Sequence, residues 1–378
     1  MILVTGGTGF VGREVVGELL ALNCRVRMLV RNPEKVHAFP NEAHHSRVEL
    51  VQGDVLKPET LPAAMAGVEA VIHLIGIIAE TSRVTYEQAH IEATRNLLAA
   101  ARQAGVTRWI QMSAIGTRPH ASSRYHQTKW QAEELVRQSG LDWTIFRPSL
   151  IYGYDEHDRL LNMLRLALSF PLDLLQAASF PLIDGGAPRI QPVSVREVAR
   201  CFARAPAKEA AIGQTIDLVG PVALTWREMI FKVLAALGKT GFYEEIPLFL
   251  LLRVVLWKTL VLLPILLIVL LATGLLRLPV AEIGAGFWAL LLIVALKWRQ
   301  VIVFNVPGEA LILAGEALDQ IAPRSLRPGE VLKMAVEDNV GDPEPAARLF
   351  DYAPETFEQA LARIMWENGF AGAPKTNP

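Results

Sequence analysis

The chain has 378 residues, of which 52% are hydrophobic and 20% are charged, and its formal net charge is −1. This length allows one large domain or two ordinary ones and excludes a single small module. Because positive and negative charges nearly balance, no overall field attracts polyanions, and a nucleic-acid partner is not expected.

The first residues predict a strand, a glycine turn and a helix. Residues 2–5 are apolar, "GGTGFVG" follows, and apolar side chains then recur at helical spacing. The spacing GxxGxxG permits a tight turn, close approach of the backbone to a pyrophosphate, and close packing of the helix on the strand. The helix N-terminus favours phosphates through its free N–H groups and its dipole. We therefore predict that a dinucleotide contacts Thr5, Gly6, Gly7, Thr8, Gly9, Phe10 and Gly12, although a glycine turn can also serve chain geometry alone.

The start of the chain and its cysteines bear on location. Since a strand begins at residue 2, no room is left for a signal or transit peptide, and this domain is expected to be cytoplasmic. The two cysteines, Cys24 and Cys201, match no metal-ligand spacing, so no metal is expected and a reducing compartment is favoured.

The second predicted strand carries the candidate for cofactor selection. Arg31 lies where an acidic residue would bind the ribose 2′-hydroxyl of NAD. A guanidinium suits a 2′-phosphate instead, so the sequence favours NADP, with NAD as the alternative cofactor and a solvated surface arginine as the alternative role. The runs "VELVQGDV" and "VEAVIHLIG" are predicted as strands buried on both faces of a parallel sheet. Asp54 and Val55, at the end of the first run, are predicted to contact the cofactor, with Asp54 at the adenine.

The next elements carry the candidate catalytic residues. A helical pattern extends from His90 to Ala104, and the strand "RWIQMSA" ends at Ser113. Tyr125 and Lys129 follow at i and i+4, on one face of the predicted helix "RYHQTKWQAEELV". An ammonium near a phenol stabilises the phenolate and lowers its pKa, which suits acid–base work near neutrality.

We predict catalytic roles for these residues, and the same segments also have non-catalytic interpretations. Ser113 would bond the substrate oxygen, Tyr125 would transfer its proton, and Lys129 would also hold the nicotinamide ribose. Alternatively, "RYHQTK" is only an amphipathic helix face and His90 a surface histidine at a helix end. The alternation of strands and helices predicts an α/β Rossmann-like fold, a doubly wound parallel sheet with the ligand over the carboxyl ends of the strands.

The segments "TGGTGFVG", "YHQTK", "WTIFRPSLIYG" and "RIQPVSVREVA" resemble the extended and atypical short-chain dehydrogenase/reductases. Among them, the chain is most similar to the branch that includes the nucleotide-binding accessory subunit of respiratory complex I and its bacterial relatives. The resemblance covers residues 1 to about 245 and resumes at "VEDNVGDPEPAARLFDYAPETFEQAL". It implies the same cofactor-binding residues and a catalytic set of Ser113, Tyr125 and Lys129.

The sequence departs from that family at two points. Only eleven residues separate Ser113 from Tyr125, fewer than is usual, and His90 replaces an asparagine that usually starts the preceding helix. Members of the complex I branch are thought to hold their nucleotide structurally. The resemblance therefore implies nucleotide binding and leaves catalysis open.

Beyond Pro148 the sheet is expected to end and a small substrate-type region to follow. Tyr152, Asp155 and Arg189 are candidates for contact with a substrate, but no spacing among them identifies its chemistry.

The stretch "VVLWKTLVLLPILLIVLLATGLL", residues 254–276, is long and apolar enough to predict a membrane span. A second run, "IGAGFWALLLIVALKW", and flanking basic residues predict a transmembrane hairpin with both ends cytoplasmic. Buried core helices, an interfacial helix and a re-entrant segment are the alternatives. The predicted organisation is a Rossmann domain over 1–150, a substrate-type region over 151–245, the hairpin over 246–300, and a helical segment over 301–378 that returns to the cytoplasmic domain.

The sequence thus predicts a multi-pass membrane protein with the lipid bilayer as a partner. Two functions remain open. One is an oxidoreductase acting on a lipid-soluble carbonyl, alcohol or quinone-like compound. The other is an accessory or assembly protein of a membrane redox complex that holds NADPH without turnover.

Overall fold

The computed structural model describes residues 1–36, 46–153, 178–236, 240–244, 300–322 and 327–367. Their strands are β1 (Ile2–Thr5), β2 (Val26–Val30), β3 (Val48–Gln52), β4 (Ala70–His73), β5 (Arg108–Met112), β6 (Asp142–Pro148), β7 (Ile151–Tyr152), β8 (Ala178–Ile183), β9 (Arg189–Ile190), β10 (Val193–Ser194), β11 (Gln214–Leu218), β12 (Leu224–Thr225), β13 (Thr240–Glu244) and β14 (Gln300–Val306). Their α-helices are α1 (Phe10–Ala21), α2 (Leu61–Met65), α3 (Ala93–Gln103), α4 (Arg124–Arg137), α5 (Val195–Arg204), α6 (Trp226–Ala236), α7 (Gly308–Ile321), α8 (Gly329–Ala335), α9 (Glu344–Phe350) and α10 (Phe357–Glu367).

The main sheet has seven strands in the order β11-β6-β5-β4-β1-β2-β3. Every pair in it is parallel, including β1 with β2 and β1 with β4. The chain winds from β1 towards β3 and then returns to the other side of β1 at β4. A ligand binds at such a reversal, beyond the carboxyl ends of the two central strands. This topology confirms the predicted α/β Rossmann fold.

Two strands differ from their predictions. The run at β3 was expected to be buried on both faces, but β3 is the outermost strand and its residues are partly or fully exposed. The sheet also does not end at Pro148, because β11 pairs with β6 from Gln214 and Thr144 to Leu218 and Pro148. The free edge of β6 accepts a strand from far along the chain, and local hydrophobic patterning does not reveal such a pairing.

Helices cover both faces of this sheet. On one face, α1 and α5 pack together, and their Val15, Leu19 and Phe202 belong to a buried cluster that includes Phe146 of β6. On the other face, α2, α3 and α4 contribute Met65, Leu97 and Val136 to a second cluster around Trp109. Apolar side chains on one stripe of each helix account for this three-layer arrangement.

Residues near the C-terminus complete the packing around the sheet. The Phe350 ring of α9 lies 5.4 Å from that of Phe146. The Tyr352 hydroxyl donates to the Val219 carbonyl at 2.8 Å, just beyond β11. Asn339 joins β9 through backbone bonds to Arg189 and Gln191. The segment from Asn339 to Tyr352 is therefore part of the same packed unit as the first 150 residues.

Among the helices of the described ranges, none combines the length and apolarity needed to cross a lipid bilayer. This finding contradicts the transmembrane hairpin predicted as part of the fold and the predicted multi-pass membrane location. Of residues 246–300, to which the hairpin was assigned, only Gln300 is described, and it pairs with Thr240 in a parallel sheet of order β13-β14-β8. Hydropathy measures how strongly a segment avoids water. Either protein or lipid can shield an apolar segment from water, so an apolar run alone does not establish a membrane span.

Candidate functional site

The glycine turn lies at the carboxyl end of β1, beside the point where the strand order reverses. Gly6 has a φ of +79°, and its carbonyl accepts the Gly9 N–H at 3.0 Å. A Cβ on Gly12 would lie 2.1 Å from that carbonyl oxygen, so only glycine allows α1 to pack this close. Gly9 caps α1 without a side chain, and the first turn of α1 carries no acidic residue. This turn fits a pyrophosphate held by backbone N–H groups at a helix N-terminus.

The other residues of the predicted turn have different surroundings. Thr5 is buried, with Oγ1 2.6 Å from Nδ1 of His73, so its hydroxyl bonds within the sheet. A Cβ on Gly7 would lie 2.8 Å from the Met28 side chain. Thr8 is exposed, and its carbonyl accepts a bond from Arg13 Nε at 3.2 Å. Arg13 was not predicted, although its position directly after the third glycine is a signal that could have indicated it.

Phe10 lies at the first position of α1 and packs towards the end of β7. A Cβ on Gly153 would lie 3.1 Å from Cζ of the Phe10 ring. The ring therefore lies between the glycine turn and Gly153.

The predicted adenosine-side residues follow β2 and β3. Arg31 is exposed directly after β2, and its carbonyl accepts a bond from Gln52 at 3.4 Å. Asp54 caps the turn after β3, because its Oδ1 accepts the Leu56 N–H at 3.0 Å. Val55 is 9% exposed, and its carbonyl accepts a bond from Asn96 of α3. These residues lie at the same carboxyl edge of the sheet as the glycine turn, on the β2 and β3 side.

Lys129 reaches the same edge from α4. Its side chain is buried, and Nζ donates to the Met112 carbonyl at the end of β5 at 3.2 Å. A Cβ on Gly76, which follows β4, would lie 2.7 Å from Nζ. Burial lowers the pKa of Lys129 to about 8, while the charge of Glu133 acts in the opposite direction. The ammonium is thus held between the ends of β4 and β5.

Tyr125 lies one turn before Lys129, in an aromatic environment. Its ring lies 5.4 Å from that of His90 and 5.0 Å from that of His126, edge-on to both, and 6.1 Å from that of Tyr86. Burial raises the pKa of Tyr125 to about 12. This direction is opposite to the lowering of the pKa that the i, i+4 spacing predicted. The Lys129 ammonium donates to the Met112 carbonyl.

Ser113 lies directly after β5 and is buried. Its N–H donates to the Phe146 carbonyl at 2.7 Å, and its hydroxyl lies 3.3 Å from that of Thr117. The elements that carry Ser113, Tyr125 and Lys129 therefore meet at one edge of the sheet.

His90 was expected to be a surface residue, and that expectation is wrong. It lies 1% exposed in a π-helical turn, Glu87–Glu92, that precedes α3. The Ile77 N–H donates to its Nε2 at 3.2 Å, and its Nδ1 lies 2.8 Å from Oγ1 of Thr128. The wider π turn changes which side chains face inward, and a 3.6-residue period does not predict that change.

Acidic residues surround the start of α4. The Arg124 guanidinium donates to Glu87, and the backbone N–H of Arg124 donates to Glu330 of α8 at 2.5 Å. Glu337 accepts bonds from Arg118 at 2.8 Å and from Ser122 at 2.6 Å. The segment around α8 therefore borders the helix that carries Tyr125 and Lys129.

Two of the three predicted substrate contacts are in the described part of the chain, and each is engaged elsewhere in the packing. Tyr152 is buried in a cluster with Ile190, Met229 and Phe357. Arg189 is exposed, and its N–H donates to Asp338 at 2.8 Å. Asp155 lies outside the described residues.

Comparison with known proteins identifies relatives of this arrangement. Residues 6–161 match a protein family described as NAD(P)H-binding. The chain is 30% identical over 247 residues to the (4-alkanoyl-5-oxo-2,5-dihydrofuran-3-yl)methyl phosphate reductase of Streptomyces griseus, covering 65% of this chain and 77% of that protein. It is 33% identical over 172 residues to the ceramide reductase of Caulobacter vibrioides, covering 46% of this chain and 52% of that protein.

A third relative is a subunit of an NADH dehydrogenase. Subunit 9 of the mitochondrial NADH dehydrogenase (ubiquinone) 1 alpha subcomplex of Arabidopsis thaliana is 31% identical over 247 residues, covering 65% of this chain and 60% of that protein. The alignments with this subunit and with ceramide reductase thus span less than two thirds of those proteins. Together the three relatives confirm the predicted resemblance to the short-chain reductases and to the complex I accessory subunit.

The fold is also similar to solved structures. The NADPH-dependent quinone oxidoreductase of Escherichia coli, solved with NADPH, matches with a TM-score of 0.61 at 18% identity, covering 97% of this chain and 100% of that one. At this identity the match supports the Rossmann fold alone.

Proposed function

This chain belongs to the NAD(P)H-binding family of Rossmann-fold proteins, and we propose that it is an NADP(H)-dependent oxidoreductase of the short-chain dehydrogenase/reductase type. The observation that carries the proposal is the buried Lys129 ammonium, held between the ends of β4 and β5 one helical turn after Tyr125. A desolvated lysine at the ligand-binding edge of a doubly wound sheet is typical of a functional site. The reductase from Streptomyces griseus supports the reaction class.

The proposed chemistry assigns one task to each residue. The bound cofactor supplies the hydride. The glycine turn binds its pyrophosphate, Arg31 binds the 2′-phosphate, and Lys129 holds the nicotinamide ribose. Ser113 donates a hydrogen bond to the substrate carbonyl oxygen. Tyr125 gives its phenolic proton to that oxygen, which becomes the hydroxyl of the product.

The surroundings of Tyr125 favour an uncharged, apolar carbonyl compound as the substrate. Its ring neighbours are Tyr86, His90 and His126, and burial lowers the pKa of both histidines below the usual range, so neither carries a charge near neutral pH. Sites for such compounds are lined mainly by aromatic and apolar side chains, with few charged groups. The relative named ceramide reductase, which is named for a lipid, supports this class of substrate.

A second candidate is an accessory protein that holds NADPH without turnover. It is favoured by the raised pKa of Tyr125, because a phenol with a pKa of about 12 is a weak acid near neutrality. It is also favoured by the similarity to the complex I subunit. In that role, the nucleotide stabilises the fold by binding only the folded state.

Tyr125→Phe separates the two candidates. For an oxidoreductase, the variant lowers turnover of NADPH with long-chain ketones or quinones by about 100-fold or more, because proton transfer is lost, while the Kd for NADPH stays within about threefold. Tyr86→Phe is the matched control, since it removes a hydroxyl that donates only to the Ile78 carbonyl among the described residues. The accessory role would be supported instead if the purified wild-type protein binds NADPH and turns over none of these acceptors, and if the protein comigrates with complex I in mildly solubilised membranes.

A further inference from the structure

The side chains of His90 and Thr128 form a continuous hydrogen-bonded link between the turn after β4 and the backbone of α4. The Ile77 N–H donates to Nε2 of His90 at 3.2 Å, so that nitrogen carries no proton. A neutral imidazole then carries its proton on Nδ1, which donates to the Thr128 hydroxyl at 2.8 Å. The Thr128 hydroxyl donates in turn to the Arg124 carbonyl at 2.9 Å. The hydrogen bonds therefore all run in one direction, with donation from Ile77 to His90, from His90 to Thr128 and from Thr128 to Arg124.

The link also borders Tyr125 and Lys129, two of the three residues proposed for catalysis. The His90 ring lies 5.4 Å from the Tyr125 ring, edge-on. A Cβ on Gly76 would lie 2.7 Å from Lys129 Nζ and 3.6 Å from His90 Nε2, so the turn bound by His90 is also the turn against which the ammonium lies. The link is 1% exposed at His90 and 4% exposed at Thr128, so water does not compete for its bonds.

We propose that His90 is a positioning residue, which acts through Thr128 and the Ile77 N–H to fix Tyr125 and Lys129 against the turn after β4. The inference rests on the proposed oxidoreductase function. A buried imidazole suits this task because its two nitrogens reach in opposite directions with one donor and one acceptor. In asparagine or glutamine, by contrast, the donor and the acceptor are attached to the same terminal carbon.

The kinetic test uses His90→Gln, Thr128→Val, their double variant, and Thr128→Ser. Because kcat depends on the placement of the two residues, each of the first two variants lowers kcat by roughly tenfold, with KM for NADPH within about threefold. The double variant loses no more than either single variant, since both break one link. Thr128→Ser, which retains the hydroxyl, restores most of the loss.

A purely structural role gives a different result. In that case the variants lower the melting temperature while kcat of the folded protein stays within about twofold of wild type. Independent losses that add in the double variant would likewise overturn the link. Circular dichroism identifies any variant that fails to fold, and Thr128→Ser, which keeps the hydroxyl, serves as the folded comparison.

A measurement that needs no turnover distinguishes this inference from the proposed function. The pH dependence of Lys129 acetylation is followed by mass spectrometry, with the exposed Lys57 as internal reference. The titratable groups that interact electrostatically with the Lys129 ammonium are Glu133, His73, His90 and His126, and the three histidines are neutral. Thr128→Val breaks the link and releases the turn at Gly76, which lets water reach the Lys129 ammonium. The midpoint pH for acetylation of Lys129 is therefore expected to rise by about one pH unit. An unchanged midpoint overturns the inference. If the midpoint shifts but the protein shows no turnover, the positioning by His90 is supported and the oxidoreductase proposal fails.

Discussion

Three buried histidines share one electrostatic environment. Burial and the nearby Lys129 charge lower the pKa of His73 to about 3 and that of His90 well below its usual value. Burial also lowers the pKa of His126 to about 4. All three are therefore neutral in the folded protein at the pH at which an unfolded histidine, with a pKa near 6.5, begins to bind a proton.

These shifts predict a loss of stability in acid. Between about pH 4 and 6.5 the unfolded chain binds more protons than the folded chain, so the free energy of unfolding falls as the pH falls, by up to about 1.4 kcal/mol per pH unit for each histidine. Urea unfolding from about pH 4.5 to 7.5 measures the slope. His73→Gln removes one titrating group and is expected to reduce that slope, and a free energy of unfolding independent of pH would contradict the assignment.

A substitution at Arg31 tests whether this single residue selects NADPH over NADH. Arg31→Asp is expected to raise the Kd for NADPH by roughly tenfold or more and that for NADH by less than about threefold, because only NADPH carries the 2′-phosphate. Arg25→Asp is the matched control, since it makes the same charge change at an exposed position before β2. Fluorescence titration at low salt gives both constants, and an equal loss for the two cofactors would remove the 2′-phosphate argument.

At the scale of elements, the glycine turn gives a second matched pair. A Cβ on Gly12 would overlap the Gly6 carbonyl, whereas a Cβ on Gly17, in the same helix, meets no atom within 4 Å. Gly12→Ala is expected to destabilise the fold by about 1–3 kcal/mol and to weaken NADPH binding by roughly tenfold. Gly17→Ala is expected to stabilise α1 by about 0.5–1 kcal/mol. Thermal unfolding with and without NADPH measures both, and a well-folded Gly12→Ala with normal affinity would contradict the close packing.

The sequence predicts elements well where the signal is local. The strand, turn and helix around Gly6 and the strand ending at Ser113 follow from apolar runs and glycine spacing, and the structure has them. The pairing of β11 with β6 and the inward rotation of His90 do not follow, because one depends on distant sequence and the other on a π turn. The membrane hairpin was wrong for a related reason, since hydropathy does not identify what covers an apolar segment.

At the scale of the molecule, residues from both ends of the chain share one core. Phe146 of β6 lies between Phe202 of α5, at 4.8 Å, and Phe350 of α9, at 5.4 Å. Phe350 is 3% exposed, so its loss leaves a cavity against the sheet.

Phe350→Ala is therefore expected to lower the free energy of unfolding by about 3–5 kcal/mol, although the residue lies far from Tyr125 in the sequence. Val222→Ala, at a side chain that is 53% exposed, is the control and should stay within about 0.5 kcal/mol of wild type. Chemical denaturation followed by tryptophan fluorescence measures both. A small effect at Phe350 would mean that α9 docks only loosely on the sheet.

The contact between Phe146 and Phe350 has a consequence for biosynthesis. Roughly 200 residues separate the two rings, and a ribosome adding about 5–20 residues each second needs on the order of 10–40 s to translate them. For that time the outer face of β6 emerges without the helix that finally shields it. We expect nascent chains of this protein to recruit chaperones until α9 has left the exit tunnel.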